Sequence, residues 1–125
     1  MIGRSVRALL RHRPPALLLD TILVFDGARL ACSARGIGPW RWAELLEGAA
    51  QTAGLLAGLQ HHGVDNTAVI AEYRDVHIHA ARHAGPVRFV ANLDRRVLQF
   101  WRCRCEVRAA DDTLLLTADV TVAPG

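Results

Sequence analysis

Lysine is absent from this chain; all fifteen basic side chains are arginines. Arg presents a planar fork suited to phosphate and carboxylate groups, so a nucleic-acid role has to be weighed. The arginines are scattered, however, and no basic run exceeds Arg95-Arg96. No RNA-recognition or zinc-finger motif accompanies them, which argues against nucleic acid as the partner. A basic surface facing an acidic protein or the phosphates of coenzyme A fits the composition at least as well.

Long apolar runs are also missing. None reaches the roughly 20 residues that a membrane span needs. The first residues hold Arg4, Arg7, Arg11 and Arg13 around a patch from Val6 to Leu10. That patch is shorter than a signal-peptide core of ~7–15 residues, so a cytoplasmic location is expected, without membrane insertion. Cysteine is sparse and odd in number: Cys32, Cys103 and Cys105. Cys103 and Cys105 alternate in an extended segment, so both point to one face and are poorly placed to bond to each other. Buried free thiols are expected. No repeat, linker or low-complexity tract divides the 125 residues, and a 51% hydrophobic, 22% charged composition suits one folded domain over 1–125.

The patterning sets an order of elements. Ile2 to Arg11 is apolar and basic at helical spacing with Ser5 as a cap, and Pro14-Pro15 ends it. Ala16 to Phe25 leads into a strand. Asp26-Gly27 is a tight-hairpin signal, and Ala28 to Arg35 is the return strand. Gly36, Gly38 and Pro39 form a loop. From Trp40 or Arg41 to about His61, apolar residues recur at three- and four-residue spacing without proline, which predicts a helix. It is apolar almost all round, so it is expected to be buried; Gly48, Gly54 and Gly58 let another backbone approach. Extended segments follow at about Thr67–Ala80, Pro86–Arg95 and Val97–Arg108. A turn at Ala110-Asp111-Asp112 leads to a last strand, Thr113–Val122. One helix among antiparallel strands predicts an α+β domain with the sheet curled around the helix.

Two motifs carry a family resemblance. His12-Arg13-Pro14-Pro15-Ala16-Leu17-Leu18-Leu19-Asp20-Thr21-Ile22 resembles the H-R-x-P-x-L-L-[VL]-D-x-[VI] motif of the 3-hydroxyacyl-[acyl-carrier-protein] dehydratases. Leu45-Leu46-Glu47-Gly48-Ala49-Ala50-Gln51-Thr52-Ala53-Gly54 resembles the L-x-E-A-x-A-Q-x-x-G start of their central helix. His83-Ala84-Gly85-Pro86 sits where that family has a P-G-D-like turn. Within the family, His12, Pro14-Pro15, Leu17 to Leu19, a Trp at 40 or 42, and Glu47 with Ala50-Gln51-Thr52 look most like the small dehydratase-like subunit of aryl polyene pathways. The resemblance implies a hotdog fold and thioester substrates on an acyl carrier protein. It implies a homodimer or heterodimer with another hotdog subunit, joined edge to edge, and no cofactor.

Dehydration needs a base for the proton beside the carbonyl and an acid for the leaving hydroxyl. The family divides these roles between a carboxylate, here Glu47, and a His in a G-H-F-P loop. An ungapped count places that His on Ser33, and no His occurs between His12 and His61. A hotdog thioesterase would need only the Glu47 carboxylate, and a non-catalytic subunit would need neither group. Glu47 reads as catalytic, with a pKa raised by burial, or as a residue bonded to Arg41 or to an Arg of a partner chain, or as one exposed at the helix start. Gln51, one turn on, either positions substrate or holds backbone. Gly48 and Trp42 complete the candidate substrate-binding set. Glu44 suits the helix N-terminal dipole. Arg82, Arg88 and Arg95 are the candidate carrier-protein contacts. His77, His79 and His83 lack a completing Cys or carboxylate at a recognised spacing, so no metal site is expected.

Overall fold

The computed structural model describes Gly3, residues 17–60 and residues 69–123. The expected helix at Ile2–Arg11, the motif residues His12 to Ala16, and His61-His62 lie outside the described residues.

Eight strands and one helix follow in the order β1 (Leu19–Phe25), β2 (Arg29–Ala34), β3 (Trp40–Arg41), α1 (Trp42–Gln60), β4 (Val69–Ile78), β5 (Arg82–His83), β6 (Val87–Val97), β7 (Phe100–Ala109) and β8 (Leu114–Ala123). Six strands form one antiparallel sheet in the order β1-β2-β6-β7-β8-β4, and β3 pairs with β5 separately. No helix among the described residues is long and apolar enough to cross a membrane.

Local chemistry explains the turns. Asp26 Oδ1 accepts the backbone N–H groups of Ala28 at 3.1 Å and Arg29 at 2.8 Å, while Gly27 takes φ 96°, which costs a glycine nothing. Glu44 Oε1 accepts the Arg41 N–H at 2.9 Å, the reach-back of a third-position Glu that fixes the helix start. The β6–β7 hairpin differs from expectation. The ladder runs on through Arg96↔Trp101 and Val97↔Phe100, and the chain reverses at Leu98-Gln99 with Leu98 at φ 56°. The Arg96 guanidinium lies 4.2 Å from the Trp101 ring centroid, a cation–π contact that rewards the longer pairing.

The sheet has one apolar face. Trp101, Cys103, Cys105 and Val107 of β7 stand opposite Val122, Val120, Ala118 and Leu116 of β8, all buried. Leu45, Ala49, Ala53 and Leu56 of α1 join the same core, so the helix covers this face. Thr52, buried there, gives its hydroxyl proton to Gly48 O at 2.8 Å. Gly48 sets how close the helix comes: a Cβ there would lie 2.2 Å from Phe89 Cζ on β6. Gly48→Ala is therefore expected to lower stability by about 1–3 kcal/mol, the usual cost of an overpacked core. Urea unfolding measures it, and Phe89→Leu in the same background should recover part of the loss.

Candidate functional site

Glu47 projects from α1 to solvent rather than into the core. The expectation of a carboxylate buried in the chain is thus not met among the described residues. Gln51, one turn further, is 5% exposed and links two elements. Its Oε1 accepts the Leu18 N–H at 2.9 Å, at the start of β1, and its Nε2 donates to Glu47 Oε1 at 3.2 Å. With its oxygen committed to Leu18, the amide presents N–H to the carboxylate and restrains it. Among the described residues Glu47 bonds to Gln51 and not to Arg41, one of the alternative partners considered for it. Gly48 lies beside Glu47 and presses on Phe89, so it sets the height of the carboxylate above the sheet.

Trp42 opens the helix, half-exposed, with its N–H donated to Ala81 O at 3.0 Å. Five residues separate it from Glu47, which places the two about 140° apart around the helix. Gln51 and Gly48 therefore accompany Glu47, and Trp42 does not share its face. Ser33 is engaged in the sheet: its Oγ accepts the Thr21 N–H at 3.1 Å and its hydroxyl points to Thr21 O at 3.4 Å.

The three candidate arginines do not form one patch. Arg82 is on β5, opposite Arg41 of β3. Arg88 is held by Ala109 O at 3.2 Å and by the Asp112 carboxylate. Arg95 lies seven residues along β6 from Arg88, roughly 23 Å at strand rise. His77 is exposed opposite Thr117, the His79 backbone N–H donates to Leu115 O at 2.9 Å, and His83 pairs with Trp40 across β3–β5.

Burial pushes the Cys32 and Cys103 thiols up to about 12, and Cys105 is raised as well by burial, then by the charges of Cys103 and Asp119. All three are buried and free, as the sequence predicts. Thiolates are the reactive form. In native protein at neutral pH these thiols should resist a disulfide reagent, and all three should react after denaturation. Folded-state values above the ordinary 9.0 mean that the native state holds these protons longer than the unfolded chain. Their stabilising contribution is complete below pH 9 and is lost as pH rises toward about 12, so thermal stability should fall across that window.

Sequence reasoning missed Tyr73. It lies on β4 opposite Val120, which in turn faces Cys103 of β7, so Tyr73 is on the helix-covered side of the sheet. Burial raises its phenol first; the Glu47 charge and then Cys105 raise it further. A cleft of about 390 Å³ lined by Asp75, His77, Arg104, Thr117, Ala118 and Asp119 lies on the opposite face of the sheet. Arg104 Nε and Asp119 Oδ1 pair in it at 3.2 Å, and it does not include Glu47.

No family model matches the chain, and no curated protein sequence does. Solved structures do. The dehydratase heterocomplex ApeI:P from Xenorhabdus doucetiae superposes with a TM-score of 0.83 at 16% identity, covering 98% of this chain and 91% of that one. The chain has the hotdog fold. Thioesterase HI1161 from Haemophilus influenzae matches with a TM-score of 0.73 at 12% identity, over 98% of this chain and 92% of its own. The conserved protein PA5202 from Pseudomonas aeruginosa matches with a TM-score of 0.68 at 21% identity, covering 83% of this hotdog chain and 86% of that one. Its structural neighbours thus include both dehydratase and thioesterase proteins.

Proposed function

We propose that this hotdog chain acts on acyl thioesters carried by an acyl carrier protein, as a dehydratase-like subunit of fatty-acid, polyketide or aryl polyene biosynthesis. The observation that carries this reading is the Glu47–Gln51–Leu18 chain of hydrogen bonds. It holds a solvent-facing carboxylate on a mostly apolar helix whose middle is buried. Such a group is placed to take the proton beside a thioester carbonyl. The match to a dehydratase heterocomplex supports the same assignment.

The second acid–base group is to come from another hotdog subunit. Residues 17–60 contain no His, and Ser33 is occupied in the sheet. Among the described residues the β4 strand has one neighbour, β8, and Val69, Tyr73 and Ile78 are between 40% and 54% exposed. An edge of that kind pairs readily with a strand of another chain. Joining there brings a partner's loop toward the helix-covered side. The match to a thioesterase favours a second reading, in which Glu47 attacks the thioester or activates water without a His.

Carrier-protein docking is assigned to the basic side chains nearest the helix start. Arg82 faces Arg41 there and is exposed, whereas Arg88 is engaged by Asp112. A 3-hydroxyacyl carrier protein should bind the assembled protein saturably by titration calorimetry. Binding should weaken with added salt, as exposed charges are screened beyond ~8–10 Å, and with Arg82→Glu. No binding at any salt concentration would refute the assignment. Salt-independent binding unchanged by Arg82→Glu would move the docking surface elsewhere.

A further inference from the structure

Tyr73 is the chain's single tyrosine. It sits on the edge strand β4, with its register partner Val120 in the core, and is 40% exposed. The helix lies on the same side of the sheet and carries Glu47. The other polar side chains near Glu47 on the helix are committed: Gln51 to Leu18 and Glu47, and Thr52 to Gly48. The Tyr73 hydroxyl makes no hydrogen bond among the described residues. An exposed hydroxyl on the helix-covered side, the side where a bound acyl group would lie, is free to donate to an acceptor on that group.

We propose that the Tyr73 phenol is a second functional group of the Glu47 site, donating a hydrogen bond to an oxygen of the bound acyl thioester. This rests on the acyl-thioester reading above and gives the chain a donor of its own where the family's loop His is missing. Burial raises the phenol most, and the charges of Glu47 on α1 and then Cys105 on β7 raise it further, so it keeps its proton at neutral pH. The phenol therefore acts as a donor and not as a base. A donor that follows oxygen charge as it develops lowers the barrier rather than tightening ground-state binding.

A single tyrosine makes global replacement with 3,5-difluorotyrosine site-specific. Its more acidic phenol brings the titration below the range in which the buried thiols ionise. The fluorine resonance of the assembled protein is followed against pH, with and without a 3-hydroxyoctanoyl pantetheine amide in which nitrogen replaces the thioester sulfur. Glu47→Gln should lower the midpoint, because it removes a negative charge that disfavours the phenolate. The amide should raise it, because a donated hydrogen bond stabilises the protonated form. Tyr73→Phe, which keeps the ring, should cut kcat by about 10²-fold with KM little changed. Amide binding with an unmoved midpoint, or wild-type turnover in Tyr73→Phe, overturns this inference alone. A protein that does not bind the amide overturns both this inference and the thioester reading beneath it.

Discussion

Glu47→Gln is expected to leave the fold intact and remove most turnover. Glu47 is exposed and touches Gln51 through one 3.2 Å hydrogen bond, so little packing depends on its charge. Gln is nearly isosteric and can still meet Gln51, but it can neither accept a proton nor attack a thioester. General acid–base groups contribute ~10²–10⁴-fold, and the loss in kcat should fall in that range. Urea unfolding should shift little, in contrast to Gly48→Ala one residue away. A variant as active as wild type would make Glu47 a surface residue. Activity that appears only with a His-bearing hotdog partner and survives Glu47→Gln would make this chain a supporting subunit.

Charging the β4 edge should separate the assembly into single chains of 13.7 kDa. Val69 and Ile78 stand at the two ends of β4, at 54% and 45% exposure, so a lysine at each is tolerated by an isolated chain. In a paired edge the Ile78 lysine, on the helix-covered side opposite Leu116, would bury an uncompensated charge, costing ~3–5 kcal/mol, and the Val69 lysine adds a charge at the other end of the edge. At 1.4 kcal/mol per tenfold, the Ile78 lysine alone weakens association by about 10²-fold or more. Sedimentation at micromolar concentration should show wild type as at least a dimer, alone or with its hotdog partner, and Val69→Lys/Ile78→Lys as a monomer. An assembly that survives both lysines would put the interface elsewhere. A wild type that stays monomeric in both settings would contradict edge pairing altogether.

Much of the fold was legible because the strongest local signals agreed with it. The Asp26-Gly27 dipeptide marked the β1–β2 turn, and the helix from Trp42 to Gln60 lies within the span that its apolar spacing predicted. Other features depend on tertiary context. The two-residue ladder β3–β5 is too short to show alternation, and it exists through contacts such as Trp40 Nε1 donating to Gly85 O at 2.9 Å. The β6–β7 reversal lacks turn residues, since Leu98 adopts positive φ without a glycine's freedom. Register shifts on β4 between Ile70 and Glu72 and between Arg74 and His77, with Asp75 at φ 49°, break its two-residue period. That hid which side Tyr73 occupies.

The candidate site shows the same division. Glu47 and Gln51 were readable as a pair because four residues bring side chains together on a helix. Their anchor at Leu18 was not, because it joins positions 33 residues apart. Trp42 was chosen by motif order, and helix geometry turns it away from Glu47. The arginine candidates Arg88 and Arg95 were chosen by strand position, which carries no information about the Asp112 carboxylate waiting for Arg88.

Under the proposed function, this chain is expected to work on a 3-hydroxyacyl thioester without cleaving it. The direct measurement supplies a 3-hydroxyacyl carrier protein to the assembled protein and records two products in one sample: conjugated enoyl thioester by its ultraviolet absorbance, and free thiol by a disulfide reagent, to which the three native cysteines should be inert. Enoyl thioester should accumulate without thiol. Thiol release without enoyl product would make this hotdog chain a thioesterase and contradict the proposed function.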